Sequence, residues 1–218
     1  MTDTIFALSS GSPPAGIAVV RISGPQASEA LRALAGRLPE PRRASAVRLR
    51  DPADGALLDR ALALWLPGPG TATGEDVAEL HLHGGRAVIA AVEGALARLP
   101  GLCRAEAGAF TRRAFANGRI DLAEAEGLAD LLSAETELQR RSALAMASGE
   151  LSRVVEGWRV RLLGLSAAVE AALDFADEDD VAGVPIGLSP DCRKLADELE
   201  AWLRRPRARK SCARASGW

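Results

Sequence analysis

The chain has 218 residues, 48% of them hydrophobic and 26% charged, a balance that allows a buried core and excludes a disordered protein. Its formal net charge is −2 at pH 7, so bulk charge does not indicate binding to nucleic acid or to a membrane surface. The sequence shows no leader peptide and no apolar run long enough to span a bilayer, and we therefore expect a cytoplasmic protein.

The first half of the chain predicts a domain of strands and helices. Short β-prone segments alternate with turns rich in glycine and proline, and two longer segments have the apolar period of a helix. The predicted strands are Thr4–Leu8, Ile17–Ile22, Val47–Arg50, Ala61–Leu66 and Val77–His83, and the predicted helices are Gln26–Leu34 and Ala87–Leu99.

The second half predicts helices. Asp121 and Glu124 have the spacing of a capping box, which indicates a helix that begins there and runs toward Gly149. Apolar residues at three-and-four spacing then predict an amphipathic helix over Glu150–Leu173. Together with the first half, these segments predict the α+β class.

The end of the chain predicts a loop, a third helix and a tail. Phe175–Pro185 is acidic and is interrupted by glycine and proline, which is typical of a loop. Ser189 and Pro190 fit the cap and the first position of the third helix. Residues 204–218 contain six basic residues and no acid, so they are either a basic tail that contacts nucleic acid or a non-native end.

Polar side chains alternate along the strand Val77–His83. A period of two places Glu79, His81 and His83 on one face and apolar residues on the other. This face is a solvated polar surface, part of a metal site, or a carboxylate that accepts hydrogen bonds from a nitrogen heterocycle. Because a metal site would need a ligand from elsewhere, we predict no bound metal.

Several arginines need partners. Arg21 lies in the apolar segment IAVVRI, where an unpaired guanidinium would be costly to bury, so it either forms a structural ion pair or faces a ligand. Arg112, Arg113 and Arg119 precede the capped helix, where they either contact an anion or form a solvated basic surface.

Nucleotide hydrolysis is not indicated by these 218 residues. A phosphate-binding P-loop requires a lysine that follows a glycine, and neither Lys194 nor Lys210 does so. Cys103, Cys192 and Cys212 lie far apart and match neither a zinc site nor a disulfide framework, as is usual in a reducing compartment.

Four segments occur in a fixed order over residues 3–180: DTIFAL followed by PPAGIAVVRISGP, LWLPGPGTATGEDVAELHLHGG, FTRRAFANGRIDLAEAEGLADLL and EAALDFADEDD. Together they resemble one family, the tRNA uridine-34 modification GTPases (MnmE/TrmE). The resemblance implies a mixed-sheet folate-binding and dimerisation domain at 1–118, similar in fold to aminomethyltransferases. It also implies an incomplete antiparallel helical domain at 119–203 and a tail at 204–218.

The resemblance further implies cofactors and partners. Members bind a tetrahydrofolate derivative (5-formyl- or 5,10-methylene-tetrahydrofolate) as one-carbon donor and form a homodimer through the N-terminal domain. With a flavin-dependent partner enzyme they add an aminomethyl-type group at C5 of the tRNA wobble uridine, so contact with tRNA is indirect. GTP, K⁺ and Mg²⁺ belong to the GTPase domain of the full-length family, which these residues lack.

Three residues match the family's folate contacts by position: Arg21, Glu79 and Arg119. Family members often carry lysine where Arg119 stands. The resemblance assigns no catalytic residue in this chain. The alternative function is a free-standing folate-dependent one-carbon transferase, for which His83 and Asp121 are the candidate acid–base residues.

Overall fold

The structure is a computed structural model that describes residues 3–174 and 187–204. The chain forms two compact units, one up to Ile120 and one from Asp121 onward. The first combines a mixed sheet with helices and the second is helical, which confirms the predicted α+β class. The predicted loop Phe175–Pro185 and residues 205–218 of the predicted tail lie outside the described residues.

The first unit is built on a six-stranded sheet. Its strands are β1 Thr4–Leu8, β2 Ile17–Ser23, β3 Ser45–Arg50, β4 Leu57–Leu66, β5 Val77–His83 and β6 Leu102–Arg104. Their order in the sheet is β3-β4-β5-β2-β1-β6, and neighbours are antiparallel except for the parallel pair of β1 and β6. The five predicted strands are confirmed, although β4 begins at Leu57 rather than Ala61.

Two helices cover one face of this sheet. They are α1 Ala27–Ala35 and α2 Arg86–Ala97, and both were predicted. Their buried residues form one apolar cluster with alternate residues of the strands, such as Val20, Leu80 and Leu82. Because strand side chains alternate, the next residue of each strand points to the opposite face of the sheet. That opposite face carries the polar residues singled out from the sequence.

A third helix, α3 Ala109–Ala116, lies near the opposite face of the sheet. Its Arg113 is buried and donates to the carbonyl oxygens of Asp3 and Ser23 and to the Glu75 carboxylate. The sequence predicted neither α3 nor β6, because eight and three residues are too few to show an apolar period.

The second unit contains α4 Leu122–Leu132, α5 Glu137–Ala147, α6 Glu150–Asp174 and α7 Leu188–Leu203. The capping box that opens α4 is confirmed, but the prediction of one helix toward Gly149 is wrong. Thr136 and Gln139 form a second capping box, and these hydrogen bonds begin a new helix instead of continuing the first.

One further prediction for this unit needs correction. Gly187, not Ser189, is the N-cap of α7, so Pro190 is the third residue of the helix rather than the first. A backbone N–H in this first turn has no partner within the helix, so its absence leaves no hydrogen bond unmade. The helix α6 is confirmed, but among the described residues none of its side chains is fully buried. Trp158 of α6 instead meets Trp202 of α7 edge to face, with ring centroids 5.7 Å apart.

No helix of the described chain is both long and apolar enough to cross a membrane.

Candidate functional site

The centre of the candidate site is an ion pair between β2 and β5. The two strands are antiparallel neighbours whose register places Arg21 directly opposite Glu79. Arg21 Nε and Nη2 lie 2.9 Å and 2.7 Å from Glu79 Oε1. The side chains are 32% and 17% exposed, so the pair is partly desolvated but open to a ligand on one side. Of the alternatives for Arg21, the structure shows the ion pair.

The second carboxylate oxygen of Glu79 is more weakly engaged. Its nearest partner is His81 Nε2, 3.4 Å from Oε2, which is a long hydrogen bond. The ring of Phe110, on α3, lies 5.9 Å from the guanidinium carbon of Arg21 and makes a cation–π contact with it. The site therefore combines a fixed carboxylate, an oxygen with spare accepting capacity and an aromatic wall.

The predicted alternation along β5 is confirmed. Ala78, Leu80 and Leu82 are buried in the core, whereas Glu79 and His81 are half-buried and His83 is exposed. Within the residues that the structure describes, no group of three or more His, Cys, Asp or Glu side chains is arranged to hold a metal ion.

Arg113 is buried and paired with carboxylates of this chain, so it stabilises the fold rather than binding a ligand. Its side chain is only 4% exposed, and its Nη1 and Nη2 lie 2.9 Å from Glu75 Oε2 and 3.1 Å from Asp3 Oδ1. Glu75 also accepts from the Ser23 hydroxyl at 2.8 Å. Of the two alternatives for Arg113, anion contact is confirmed, and the anions are the carboxylates of Glu75 and Asp3; the solvated basic surface is excluded because the side chain is buried. Its donors are used to hold α3 against the sheet.

The same corner contains Cys103. The thiol donates to Asp3 Oδ2 at 3.4 Å. This hydrogen bond is the largest cause that lowers the pKa of Asp3, and desolvation is the largest cause that raises the pKa of Cys103. A thiol with a raised pKa is less often present as the nucleophilic thiolate, so this environment does not activate Cys103.

Arg119 is held by the loop that leads into β5. Its backbone N–H donates to Ala114 O at 2.8 Å, and its side-chain stem passes over Gly74. A Cβ atom on Gly74 would lie 3.0 Å from Arg119 Cγ, so glycine leaves the room that this stem needs. Asn117 anchors the same loop through a 2.7 Å hydrogen bond to Thr73 O. The Arg119 guanidinium is exposed and has no acidic partner among the described residues.

Sequence reasoning missed an open groove beside the ion pair. The groove has a volume of about 520 Å³ and crosses β2, β3, β4 and β5 on the face opposite α1 and α2. Its lining includes Ile17, Arg48, Arg60, Leu62, His81 and His83. The alternation of β3 and β4 was visible in the sequence, but the register that brings these residues together was not.

Comparison with known proteins identifies the family. A model described as GTP-binding protein TrmE N-terminus matches residues 4–119, and a model of the MnmE helical domain matches residues 122–214. Three curated relatives carry the name tRNA modification GTPase MnmE. The protein of Novosphingobium aromaticivorans is 70% identical over 217 residues, which are 95% of this chain and 50% of the relative. That of Erythrobacter litoralis is 64% identical over 208 residues, covering 95% and 49%. That of Sphingopyxis alaskensis is 69% identical over 192 residues, covering 87% and 46%.

The two family models lie in the order in which the structure places its units, a mixed-sheet unit and then a helical one. The chain spans about half the length of the curated relatives it matches. The first model alone covers more than half of the chain. The chain therefore belongs to the MnmE/TrmE family of tRNA modification GTPases and contains the N-terminal and helical parts of that family.

Proposed function

We propose that this chain is the folate-binding and dimerising part of the machinery that modifies the tRNA wobble uridine. In this proposal residues 1–118 bind a tetrahydrofolate derivative and pair with a second copy, and residues 119–203 begin the helical domain. A flavin-dependent partner enzyme acts with it in the cytoplasm to add an aminomethyl-type group at C5 of the uridine. GTP, K⁺ and Mg²⁺ act in the GTPase domain of the full-length family and not in these residues.

The observation that supports folate binding is the partly engaged carboxylate of Glu79. A pterin has an aminopyrimidine edge with two adjacent N–H donors, and a carboxylate oxygen with spare accepting capacity can take a hydrogen bond from that edge. Arg21 fixes the orientation of this carboxylate through Oε1, and Oε2 can exchange its long contact with His81 for a pterin donor. We assign the pterin to Glu79, and the remaining polar groups of the cofactor to Arg21 and Arg119.

The ring of Phe110 suits the same ligand. It lies beside the Arg21 guanidinium at the edge of the ion pair. Aromatic side chains and guanidinium groups both stack on flat heterocycles. Phe110 and Arg21 can therefore stack on a pterin ring while the Glu79 carboxylate accepts hydrogen bonds from the edge of that ring. The cofactor supplies the one-carbon unit when bound, whereas the residues of this chain bind and orient it.

Isothermal titration calorimetry of the full chain with 5-formyl-tetrahydrofolate tests this proposal. Glu79→Gln keeps the shape of the side chain but replaces an acceptor oxygen by a donor, and we expect the affinity to fall at least about tenfold. Glu79→Ala should abolish binding without loss of the circular dichroism spectrum. Glu40→Gln is the matched control, because Glu40 is exposed and, within the described ranges, its carboxylate pairs with Arg43, three residues along the chain. An unchanged affinity of Glu79→Ala would reject the assignment.

A free-standing one-carbon transferase remains the second candidate because of His83. Its Nδ1 lies 2.7 Å from Asp59 Oδ1, and its backbone N–H donates to Asp59 Oδ2 at 2.8 Å, so a carboxylate orients the imidazole as in a general base. Asp121 does not qualify, since its two oxygens accept from Glu124 N and from the Ser152 hydroxyl. Turnover of a folate one-carbon unit by this chain alone, lost in His83→Gln, would favour the transferase.

A further inference from the structure

Two arginines face each other across β3 and β4. The register of these antiparallel strands places Arg48 directly opposite Arg60. Side chains in that relationship have Cβ atoms about 4.5–5.5 Å apart, and like charges there are destabilising. Neither guanidinium has a hydrogen-bond or ion-pair partner among the described residues, and both side chains point away from the core. The neighbouring Asp59 does not neutralise them, because it holds His83. Such a pair suits an anionic ligand.

The floor beside these arginines is apolar and exposed. Ile17 and Leu62 are 64% and 47% exposed, although both lie on strands of the central sheet. They line the same groove of about 520 Å³ as the two arginines, a volume typical of small-molecule sites. The groove therefore fits a ligand that is apolar along its length and anionic at one end.

The groove lies next to the Arg21–Glu79 pair, because His81 lines the groove and also contacts Glu79 Oε2 at 3.4 Å. Leu64 lies opposite Glu79, and Leu62 lies opposite His81. Arg60 is therefore four residues along β4 from the level of Glu79, which corresponds to about 14 Å at the rise of an antiparallel strand. An acceptor for a heterocycle thus lies just beyond the groove, on the side of His81, and a pair of cations lines the groove itself. A folate has the same order of groups: a pterin, an aminobenzoyl group and a glutamate tail whose length varies with γ-linked additions.

We propose that Arg48 and Arg60 bind the carboxylates of the poly-γ-glutamate tail of a folate whose pterin lies at Glu79. This inference rests on the proposed folate-binding function. The aminobenzoyl group lies over Leu62 and Ile17, and the ligand charge removes the repulsion between the two guanidinium groups. This inference takes the tail carboxylates out of the set of polar groups assigned above to Arg21 and Arg119, so Arg119 is the competing position for the tail. Arg119 lies beside Gly74, before the start of β5, whereas Arg60 lies toward the end of that strand.

Calorimetry of the full chain with monoglutamyl and triglutamyl 5-formyl-tetrahydrofolate tests the inference. We expect wild type to bind the triglutamyl form about tenfold more tightly, because it offers additional carboxylates to the arginine pair. In the double variant Arg48→Gln/Arg60→Gln, the ratio of the affinities for the triglutamyl and monoglutamyl forms should fall to about one. In wild type, the same ratio should decrease with added salt, because salt screens the contacts between carboxylates and arginines. Arg32→Gln is the matched control, since it removes one arginine from α1, on the other side of the sheet, and should keep the ratio.

The outcomes separate this inference from the proposed function. If neither folate binds to wild type, the folate-binding function itself fails. If both bind with equal affinity, or if the double variant keeps the wild-type ratio, folate binding stands and the role of Arg48 and Arg60 is wrong. A ratio that is lost in Arg119→Gln and kept in the double variant would place the tail at Arg119 instead. Circular dichroism checks that each variant is folded.

Discussion

The guanidinium of Arg21 donates twice to a single oxygen of Glu79, with Nε and Nη2 at 2.9 Å and 2.7 Å from Oε1. Fifty-eight residues separate the two in sequence, and the β2–β5 register brings them together. Because both residues belong to central strands rather than loops, the carboxylate is held in place before any ligand arrives. The arrangement leaves Oε2 as the oxygen with capacity to accept from a ligand.

Loss of Arg21 should destabilise the chain more than loss of an exposed arginine. Arg21→Gln leaves the largely buried Glu79 carboxylate without its charged partner, and we expect a loss of about 1–3 kcal/mol in the free energy of unfolding. Urea denaturation followed by circular dichroism measures this change. The double variant Arg21→Gln/Glu79→Gln removes both charges and should regain part of the loss. A double variant that is less stable than Arg21→Gln would contradict the account.

Periodicity made the polar face of β5 predictable, but not the pairs that form on it. Alternation along one strand says which residues share a face, and it indicated Glu79, His81 and His83 correctly. The partner across the ladder depends on register, which is set by loops and packing far from the residue concerned. Arg21 could be recognised as needing a partner from its apolar neighbours in the sequence, but its partner could not be named. The Arg48–Arg60 pair depends on register alone, so the sequence did not indicate it.

Other differences have different physical causes. The break between α4 and α5 is marked in the sequence by the capping-box spacing of Thr136 and Gln139. The apolar residues on either side of it instead favoured the prediction of one continuous helix. The apolar period of α6 predicted the helix correctly, but a period cannot say whether a partner covers it. The arginine cluster before α4 indicated Arg119 as a possible anion contact, but its packing against Gly74 could not be predicted, because the two meet only in the folded loop.

Loss of Arg113 should lower the free energy of unfolding of the first unit more than loss of an exposed arginine. Arg113→Leu fits the buried position in size but leaves the Glu75 carboxylate without its cation, and we expect a loss of about 3 kcal/mol in the free energy of unfolding. Arg112→Leu, on the next residue of the same helix, removes an exposed guanidinium and should change stability by no more than about 0.5 kcal/mol. Equal losses in the two variants by urea denaturation would show that burial of Arg113 is unimportant.

The charge of Asp121 should make the helical unit more stable at neutral than at acidic pH. The Ser152 hydroxyl, followed by the Glu124 backbone N–H, lowers the pKa of Asp121 by hydrogen bonding to its carboxylate. A group whose pKa is lower in the folded state stabilises the fold above its ordinary pKa, and this contribution is lost as the pH falls through the folded value.

Asp121→Asn isolates this effect, because asparagine caps a helix about as well as aspartate but carries no charge. Wild type should exceed the variant by about 0.3–1 kcal/mol at pH 7, the usual contribution of a negative charge at a helix N-terminus. The difference should decrease as the pH falls through the lowered folded-state pKa of Asp121. Urea denaturation of both proteins across this range gives the comparison, and a difference that is constant with pH would exclude the role of the charge.

The same glycine-to-alanine change should have opposite effects in α4 and α6. A Cβ atom on Gly127 would lie 2.5 Å from the backbone nitrogen of Ala147 and 2.7 Å from Met146 Cβ. One on Gly157 would meet no atom of residues 3–174 and 187–204 within 4 Å. Alanine is favoured over glycine in a helix by about 1 kcal/mol. At Gly157 this gain is unopposed, and Gly157→Ala should stabilise α6.

At Gly127 the cost of the steric clash should exceed the gain in helix propensity. Overpacking of a close helix contact costs about 1–3 kcal/mol, and the atom in the way belongs to the backbone of α5, so a side-chain rotation cannot relieve the clash. Gly127→Ala should therefore lower the midpoint of thermal unfolding measured by circular dichroism at 222 nm, while Gly157→Ala raises it. If both variants raised the midpoint, helix propensity alone would govern this unit, and the close approach of α4 to α5 would not contribute to its stability.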